Sequence, residues 1–381
     1  MGEEEMGMQR ILKATAVAAV AVGAAVVLIG GQKIQRQWRY VPDLLYPEET
    51  AYMRNLRQLT TEGINAEAYA SPDGRSIIFQ SQRGEFTADQ IFIMDIDGRN
   101  PRLVSTGMGR TTCSYFFPDM KHIVYASTHI YDSEPPVAAK HPAGRYAWPI
   151  FPQYEIFKAT PDGENVERLT RNWGYDAEAV VDWSTGRIVF TSLREGDLDI
   201  YTMGGDGADL QRLTFREGYE GGPFFSRDGT RIVYRAYYPS TQGEIDEYRM
   251  LLGMNLISPP YMEVFVMDAN GGHQRRLTDF GGVSFAPYFL PDDRGIIFAS
   301  NFAKKGSREF HLYTMDENGG DLTQITYGSG FESFPYFTPD GKRIIFASTR
   351  GAKPGTRELH IYMADWKGPG RILQTVGSSG S

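Results

Sequence analysis

Between residues 57 and 376 the chain is written in short apolar runs, each cut off by a turn. That pattern predicts strands rather than helices. The clearest unit is Phe334-Pro-Tyr-Phe-Thr-Pro-Asp-Gly-Lys-Arg-Ile-Ile-Phe-Ala-Ser-Thr-Arg350. Pro335 to Phe337 reads as a short aromatic strand, and Pro339-Asp340-Gly341 carries turn chemistry. Ile344-Ile345-Phe346 is a β-branched and aromatic run suited to a buried strand. The hairpin appears six times, at 71–79, 117–125, 182–190, 226–234, 290–298 and 338–346. Its closing aromatics, at 79, 125, 190, 234, 298 and 346, stand 46, 65, 44, 64 and 48 residues apart.

The rest of each unit repeats as well. A third strand ends in an aromatic and a Met, as in Ile91-Phe-Ile-Met94, Ile200-Tyr-Thr-Met203 and Leu312-Tyr-Thr-Met315. A Gly-bearing turn follows, and then a fourth strand reading Arg168-Leu-Thr170, Arg212-Leu-Thr214, Arg276-Leu-Thr278 or Gln324-Ile-Thr326. Four short strands per unit, with a period in the mid-forties, predict an all-β fold, a six-bladed β-propeller. The two long intervals require insertions. One, His129 to Gln153, carries Pro135, Pro136, Pro142, Pro149 and Pro152 among Tyr131, Tyr146, Trp148 and Phe151. It reads as a rigid loop, packed on the propeller or presented to a partner through Tyr146, Trp148 and Phe151. The other, Ala236 to Tyr261, holds a capping box at Thr241-Gln-Gly-Glu244 and an apolar helical face through Leu252, stopped by Pro259-Pro260.

Aligning the units exposes one further pattern. Six residues before each hairpin stand Asn65, Thr111, Asp176, Glu220, Ser284 and Glu332, all polar. Two residues before it stand Tyr69, Tyr115, Val180, Phe224, Tyr288 and Tyr336, suited to packing between blades. The innermost strand of a propeller lines its axis. The polar set is therefore expected as a ring at one channel mouth, with Glu67 and Glu178 one step further in. Such a ring suits a cation, a basic peptide or a partner loop; it is equally what any wet channel carries.

The ends of the chain add to this. From Ala14 to Gly31 there are eighteen uncharged residues between Lys13 and Lys33, just long enough to span a bilayer. We expect residues 1–31 to be a tail and uncleaved transmembrane helix, with a cleaved signal peptide as the alternative. Arg10 and Lys13 on one side, and Lys33, Arg36 and Arg39 on the other, leave the orientation undetermined. Residues 32–56 read as a linker, 57–376 as the propeller and 377–381 as a frayed tail. Arg57-Gln-Leu-Thr60 has the fourth-strand signature yet precedes the first hairpin, so it is expected to close the last blade. Arg371-Ile-Leu-Gln374 competes for that place unless the blade has five strands.

Charge and chemistry narrow the function classes. A net charge of −8 argues against a nucleic-acid surface. With Cys113 alone there is no internal disulfide and no cysteine-based zinc site. The six histidines lack ligand spacing, and no Gly-x-Ser-x-Gly nucleophile elbow occurs. Asp95-Ile-Asp97-Gly98 lacks the other ligands of a calcium loop and reads as a hairpin turn. No cofactor, metal or catalytic residue is expected.

The six Pro-Asp-Gly-type hairpins, the third strands ending Tyr-x-Met and the Arg-Leu-Thr fourth strands resemble the TolB-like family of WD-like propellers over roughly residues 57–376. The third copy departs from the pattern, with Trp183-Ser184-Thr185 in place of Pro-Asp-Gly, so its turn is expected to differ. The resemblance implies a six-bladed propeller outside the cytoplasmic membrane that binds other proteins. The expected function is a non-enzymatic, membrane-anchored, periplasmic scaffold, or an accessory subunit of a respiratory, photosynthetic or envelope complex. The alternative is an enzyme of the propeller channel, a lyase or hydrolase acting on envelope polymers.

Overall fold

The computed structural model describes residues 39–369, together with a short hairpin of Val27–Ile29 and Gln32–Ile34. The expected anchor over 14–31 falls almost wholly outside the described residues, as do Arg371–Gln374 and the tail. Among the described residues no helix is long and apolar enough to cross a membrane.

Six antiparallel sheets succeed one another around an axis. Blade one is Ile64–Ala70, Ser76–Gln82, Gln90–Asp95 and Arg102–Leu103. Blades two to five begin at Thr111, Asp176, Tyr219 and Ser284 and repeat its four-strand order. Blade six has five strands: Glu332–Phe337, Arg343–Ser348, His360–Trp366, then Met53–Gln58 and Arg39–Tyr40 from the N-terminal side. Residues Arg57 to Thr60 do close the circle. Tyr362 pairs with Gln58 and Met363 with Arg57, and the Leu59 amide donates to Ile361. The fifth strand is Arg39–Tyr40.

The fourth-strand Thr has a physical task. Its hydroxyl accepts the amide of the third strand's second residue at 2.8–2.9 Å, for Thr60, Thr170, Thr214, Thr278 and Thr326, and Ser105 does the same at 3.0 Å. Several of these hydroxyls also donate to the residue opening the third strand: Ser105 to Gln90, Thr170 to Glu155 and Thr278 to Glu263. Each bond is worth about 1 kcal/mol net, and the fourth strand is so short that it depends on them. In the first, fourth and sixth hairpin turns the Asp accepts from the hydroxyl two residues before it, at 2.6 Å from Ser71, Ser226 and Thr338. The third turn differs as expected. Asp182 accepts from Ser184 and Thr185, and the turn is one residue wider, with the Gly186 amide on the Asp182 carbonyl.

The segment from Pro42 to Ala51 forms two 3-10 turns that dock on blade six. Glu49 is fully buried and receives both terminal nitrogens of Arg350 at 2.9 Å, while Arg350 also reaches Glu332 at 3.1 Å. Gly328, at φ 98°, leaves the space against which the Tyr46 ring lies. Burial, with the Glu49 charge beside it, pushes Glu332 up to about 7 despite Arg350. Removing one member of such a pair strands the others in a low dielectric. Glu49→Ala should therefore cost about 3 kcal/mol or more in chemical denaturation. A loss below about 0.5 kcal/mol would show that the segment contributes nothing to closure.

Candidate functional site

Each first strand carries a β-bulge, and at each bulge one residue adopts a left-handed backbone: Glu67, Cys113, Glu178, Gly222, Ala286 and Phe334, at φ 48–60°. The extra residue shifts the in–out alternation by one, so counting in twos through the strand fails. All six bulge residues line one axial cavity of only about 20 Å³.

The expected ring at the channel mouth is corrected by this shift. Asn65, Thr111, Asp176, Glu220, Ser284 and Glu332 are buried, at 2% exposure or less, and all but Glu220 bond sideways to the second strand. Ser81, Ser127, Ser192, Ser300 and Ser348 meet Asn65, Thr111, Asp176, Ser284 and Glu332 at 2.5–3.0 Å. In blades one, three and six an Arg two residues after the Ser completes a triad. Arg83 reaches Asn65 at 2.8 Å, Arg194 reaches Asp176 at 3.1 Å and Arg350 reaches Glu332. The same guanidiniums sit over the hairpin's closing aromatics, Phe79, Phe190 and Phe346, at 5.3–5.5 Å. The spacing Phe-x-Ser-x-Arg was present in the sequence as a signal of these locks and was not singled out. Burial still raises Asp176 to about 6, against the pull of Arg194 and Ser192.

Blade four breaks the pattern. Glu220 pairs with Ala236 where the others have Ser, and Tyr238 stands at the Arg position. Neither Glu220 oxygen makes a hydrogen bond of good geometry among the described residues, although the Tyr238 hydroxyl interacts with it.

The axis itself is sealed. The aromatics two residues before each hairpin meet one another across it. Tyr69 contacts Tyr115, Phe224 and Tyr336 at 5.2–5.4 Å between ring centres, and Tyr288 contacts Phe224 and Tyr336 at 5.2 and 4.7 Å. Tyr69 in blade one touching Phe224 in blade four spans the full width of the channel. The Tyr115 and Tyr336 hydroxyls lie 2.9 Å apart. The rings pack between blades as expected, and they do so across the axis. On the hairpin side the plug leaves a cavity of about 60 Å³. On the other side Glu178 binds Arg235, accepts from the Gly222 amide and Thr191 at 2.8 Å, and Arg235 donates to Tyr219 at 2.9 Å. A Cβ at Gly222 would overlap the Arg235 guanidinium, so this pair requires glycine there. Glu67 stands beside them, raised to about 7 by burial and then by the Glu178 charge.

The two insertions join over this face. Trp148-Pro149 pairs with Leu256-Ile257, the Ile150 amide donates to Asn255, Ser258 donates to the Tyr146 carbonyl at 2.6 Å, and Arg145 pairs with Glu247. The helix Gln242–Gly253 carries the expected capping box, with Glu244 bound to Thr241. Beneath the cap lies an apolar cluster that includes Phe151, Tyr154, Tyr175, Tyr219, Tyr248 and Ile257. The three loop aromatics therefore divide. Phe151 is buried, Trp148 is half-buried against Tyr219 at 5.8 Å, and Tyr146 is 76% exposed. Beside the cap a cleft of about 630 Å³ opens, with Tyr131 and Trp173 at right angles and 5.3 Å apart on its wall. Among the described residues no group of three His, Cys, Asp or Glu is arranged to hold a metal ion.

A closed circle of WD-like blades with a plugged axis and one capped face defines the class, a six-bladed propeller whose reachable surface is on its faces. Residues 257–372 match the family described as the TolB beta propeller domain. A TolB homolog of Chlorobium chlorochromatii is 30% identical over 153 residues, 32% of this chain and 34% of its own length. The putative TolB of Agrobacterium tumefaciens superposes with a TM-score of 0.53 at 18% identity, covering 81% of this chain and 92% of that one. TolB of Acinetobacter baumannii gives 0.52 at 18%, covering 75% and 63%. The chain is thus similar to the TolB-like family, through the domain match over residues 257–372 and these relatives. It spans 34% to 54% of the length of the curated relatives it matches, and at 18% identity the solved structures establish the fold alone.

Burial pushes the Glu220 carboxyl well above its ordinary value of 4.5. A carboxyl raised on folding costs stability as the pH climbs past its unfolded value. The protein should therefore weaken between about pH 5 and about pH 8 through this group, and Glu220→Gln should abolish that share, gaining at least about 1 kcal/mol at the higher pH. Urea titrations at both values test it. An identical pH loss in variant and parent would mean that Glu220 stays charged and solvated.

Proposed function

We propose that the protein is a non-enzymatic scaffold that holds protein partners on the capped face of its propeller. In this reading residues 14–31 tether it to the bacterial cytoplasmic membrane, the propeller stands in the periplasm, and it serves as an accessory subunit of a larger membrane assembly. The observation that carries the proposal is the aromatic plug. A channel enzyme needs reactive groups that a substrate can reach, whereas here the axial cavities hold about 20 and 60 Å³, less than a small-molecule site requires. The axial carboxylate Glu178 and its guanidinium partner satisfy each other. The available features are those of contact: a rigid proline-rich loop cross-braced to a helix, and exposed rings at Tyr131, Tyr146 and Trp173. Such rings bury large area at low entropic cost.

Two experiments test this. Tyr146→Ala should change stability by no more than about 0.5 kcal/mol and weaken the partners that co-purify from native membranes in mild detergent. Phe151→Ala, under the cap, should cost about 3 kcal/mol or more. Full partner retention by a Tyr146→Ala, Trp173→Ala double variant would overturn the proposed face. Protease added to intact spheroplasts should remove the propeller and leave a membrane-embedded N-terminal fragment. Full protection would overturn the periplasmic placement.

A further inference from the structure

The cleft beside the cap differs in kind from the axial cavities. Its volume of about 630 Å³ lies in the range of sites that hold a ligand or a short peptide. Pro136 and Val137 from the proline-rich insertion form one wall, and Tyr131 and Trp173 another. Trp173 is 64% exposed and Val137 94% exposed. Two observations give the cleft a chemical preference. The first is charge. Asp132 lines it, and neither Lys nor Arg does. Arg168, behind Tyr131, is neutralised by Glu155 at 2.5 Å. The second is an unanswered acceptor. Gln153 lines the cleft half-buried, and its side-chain oxygen, turned from solvent, has no hydrogen-bond partner among the described residues, so a turn of the amide that presents it to the cleft gives up no bond at that oxygen. The proline walls add to the bias, since Pro136, Pro149 and Pro152 carry no amide donors.

An acceptor-rich, anionic cleft beside a free indole favours a donor-rich cation. A guanidinium can lie over the Trp173 face while donating to a carboxylate and an amide oxygen. Arg168 over the Tyr131 ring at 5.7 Å is an intramolecular instance of the same contact at the same mouth. We propose that this cleft binds an extended peptide segment of a protein partner by its arginine side chain, with Trp173 stacking on the guanidinium and Asp132 and Gln153 accepting its N–H groups. This deepens the scaffold reading and rests on it, by naming which part of the capped face takes which chemistry.

The test uses the full chain in detergent and a fluorescently labelled, acetylated and amidated Gly-Pro-Arg-Pro-Gly peptide, with Lys, citrulline and Glu versions of the central residue. Polarisation should rank the affinities Arg, Lys, citrulline, Glu. Trp173→Ala and Asp132→Asn should each weaken the Arg peptide by about tenfold, with unchanged melting temperatures. Gln153→Met keeps the side chain's length and removes the acceptor, so it should weaken binding by several-fold without loss of stability. Equal binding of the Arg and Glu peptides, no binding of any peptide, or parental affinity in all three variants would overturn the inference. Partner retention separates the two readings. If Trp173→Ala keeps its membrane partners while Tyr146→Ala loses them, the cleft assignment fails and the scaffold stands.

Discussion

A propeller is stable only as a circle, and the pairing of Met53–Gln58 with His360–Trp366 that closes this one is anchored by a single guanidinium. Arg350 lies at the inner end of blade six and is bound by Glu332 of the same blade and by Glu49 of the chain's beginning. Everything else in the closure follows from that contact. Glu49 fixes the 3-10 turns, the turns deliver Met53–Gln58 to the outer side of His360–Trp366, and the sheet then has room for Arg39–Tyr40. Without an outer strand from the N-terminal side, the last blade would present an unpaired edge. Opening therefore breaks the buried contacts of Arg350 with Glu49 and Glu332 as well as the strand's hydrogen bonds.

Within the circle, neighbouring blades are joined by repeated polar contacts rather than by apolar packing alone. Short parallel bridges stitch Ile64 to Leu359, Leu198 to Tyr219, Met262 to Val283 and Phe310 to Phe331. In blades one, three and six the Ser-x-Arg triads fix where the first strand meets its second. Glu220, with Ala236 opposite, is the one position of the six where a carboxyl was buried without its lock.

Much of this was legible. The hairpins, the fourth-strand Thr, the closing strand, the capping box and the wider third turn each rest on local chemistry, and each reads directly from residue type and spacing. The bulges were not legible. Glu67, Cys113, Glu178, Gly222, Ala286 and Phe334 share no property except a backbone angle, so no pattern marks them. Because the bulge reverses the alternation, the polar set reads as a ring at a channel mouth, whereas its residues are buried. The joining of the two insertions was equally hidden. Trp148-Pro149 and Leu256-Ile257 lie far apart in sequence, and a two-residue strand has no signature of its own. Trp173 belongs to neither insertion and becomes visible only once Tyr131 is seen beside it.

The way the N-terminal strands are built into blade six also sets the order in which the seam would yield to a pull on the chain ahead of Arg39. Any tension on the chain ahead of Arg39 is delivered to the outermost strand first. Arg39–Tyr40 pairs with Gln58 and Arg57 through only two registered positions and would peel away under a small load. The load would then pass to the docked turns, where the Glu49–Arg350 contact is both buried and bidentate, so extension would stall there. Past that point Met53–Gln58 would be drawn from the sheet and the ring would open at one seam. The propeller thus has a slack first step and a stiff second one, and other blades need not deform until the seam gives way.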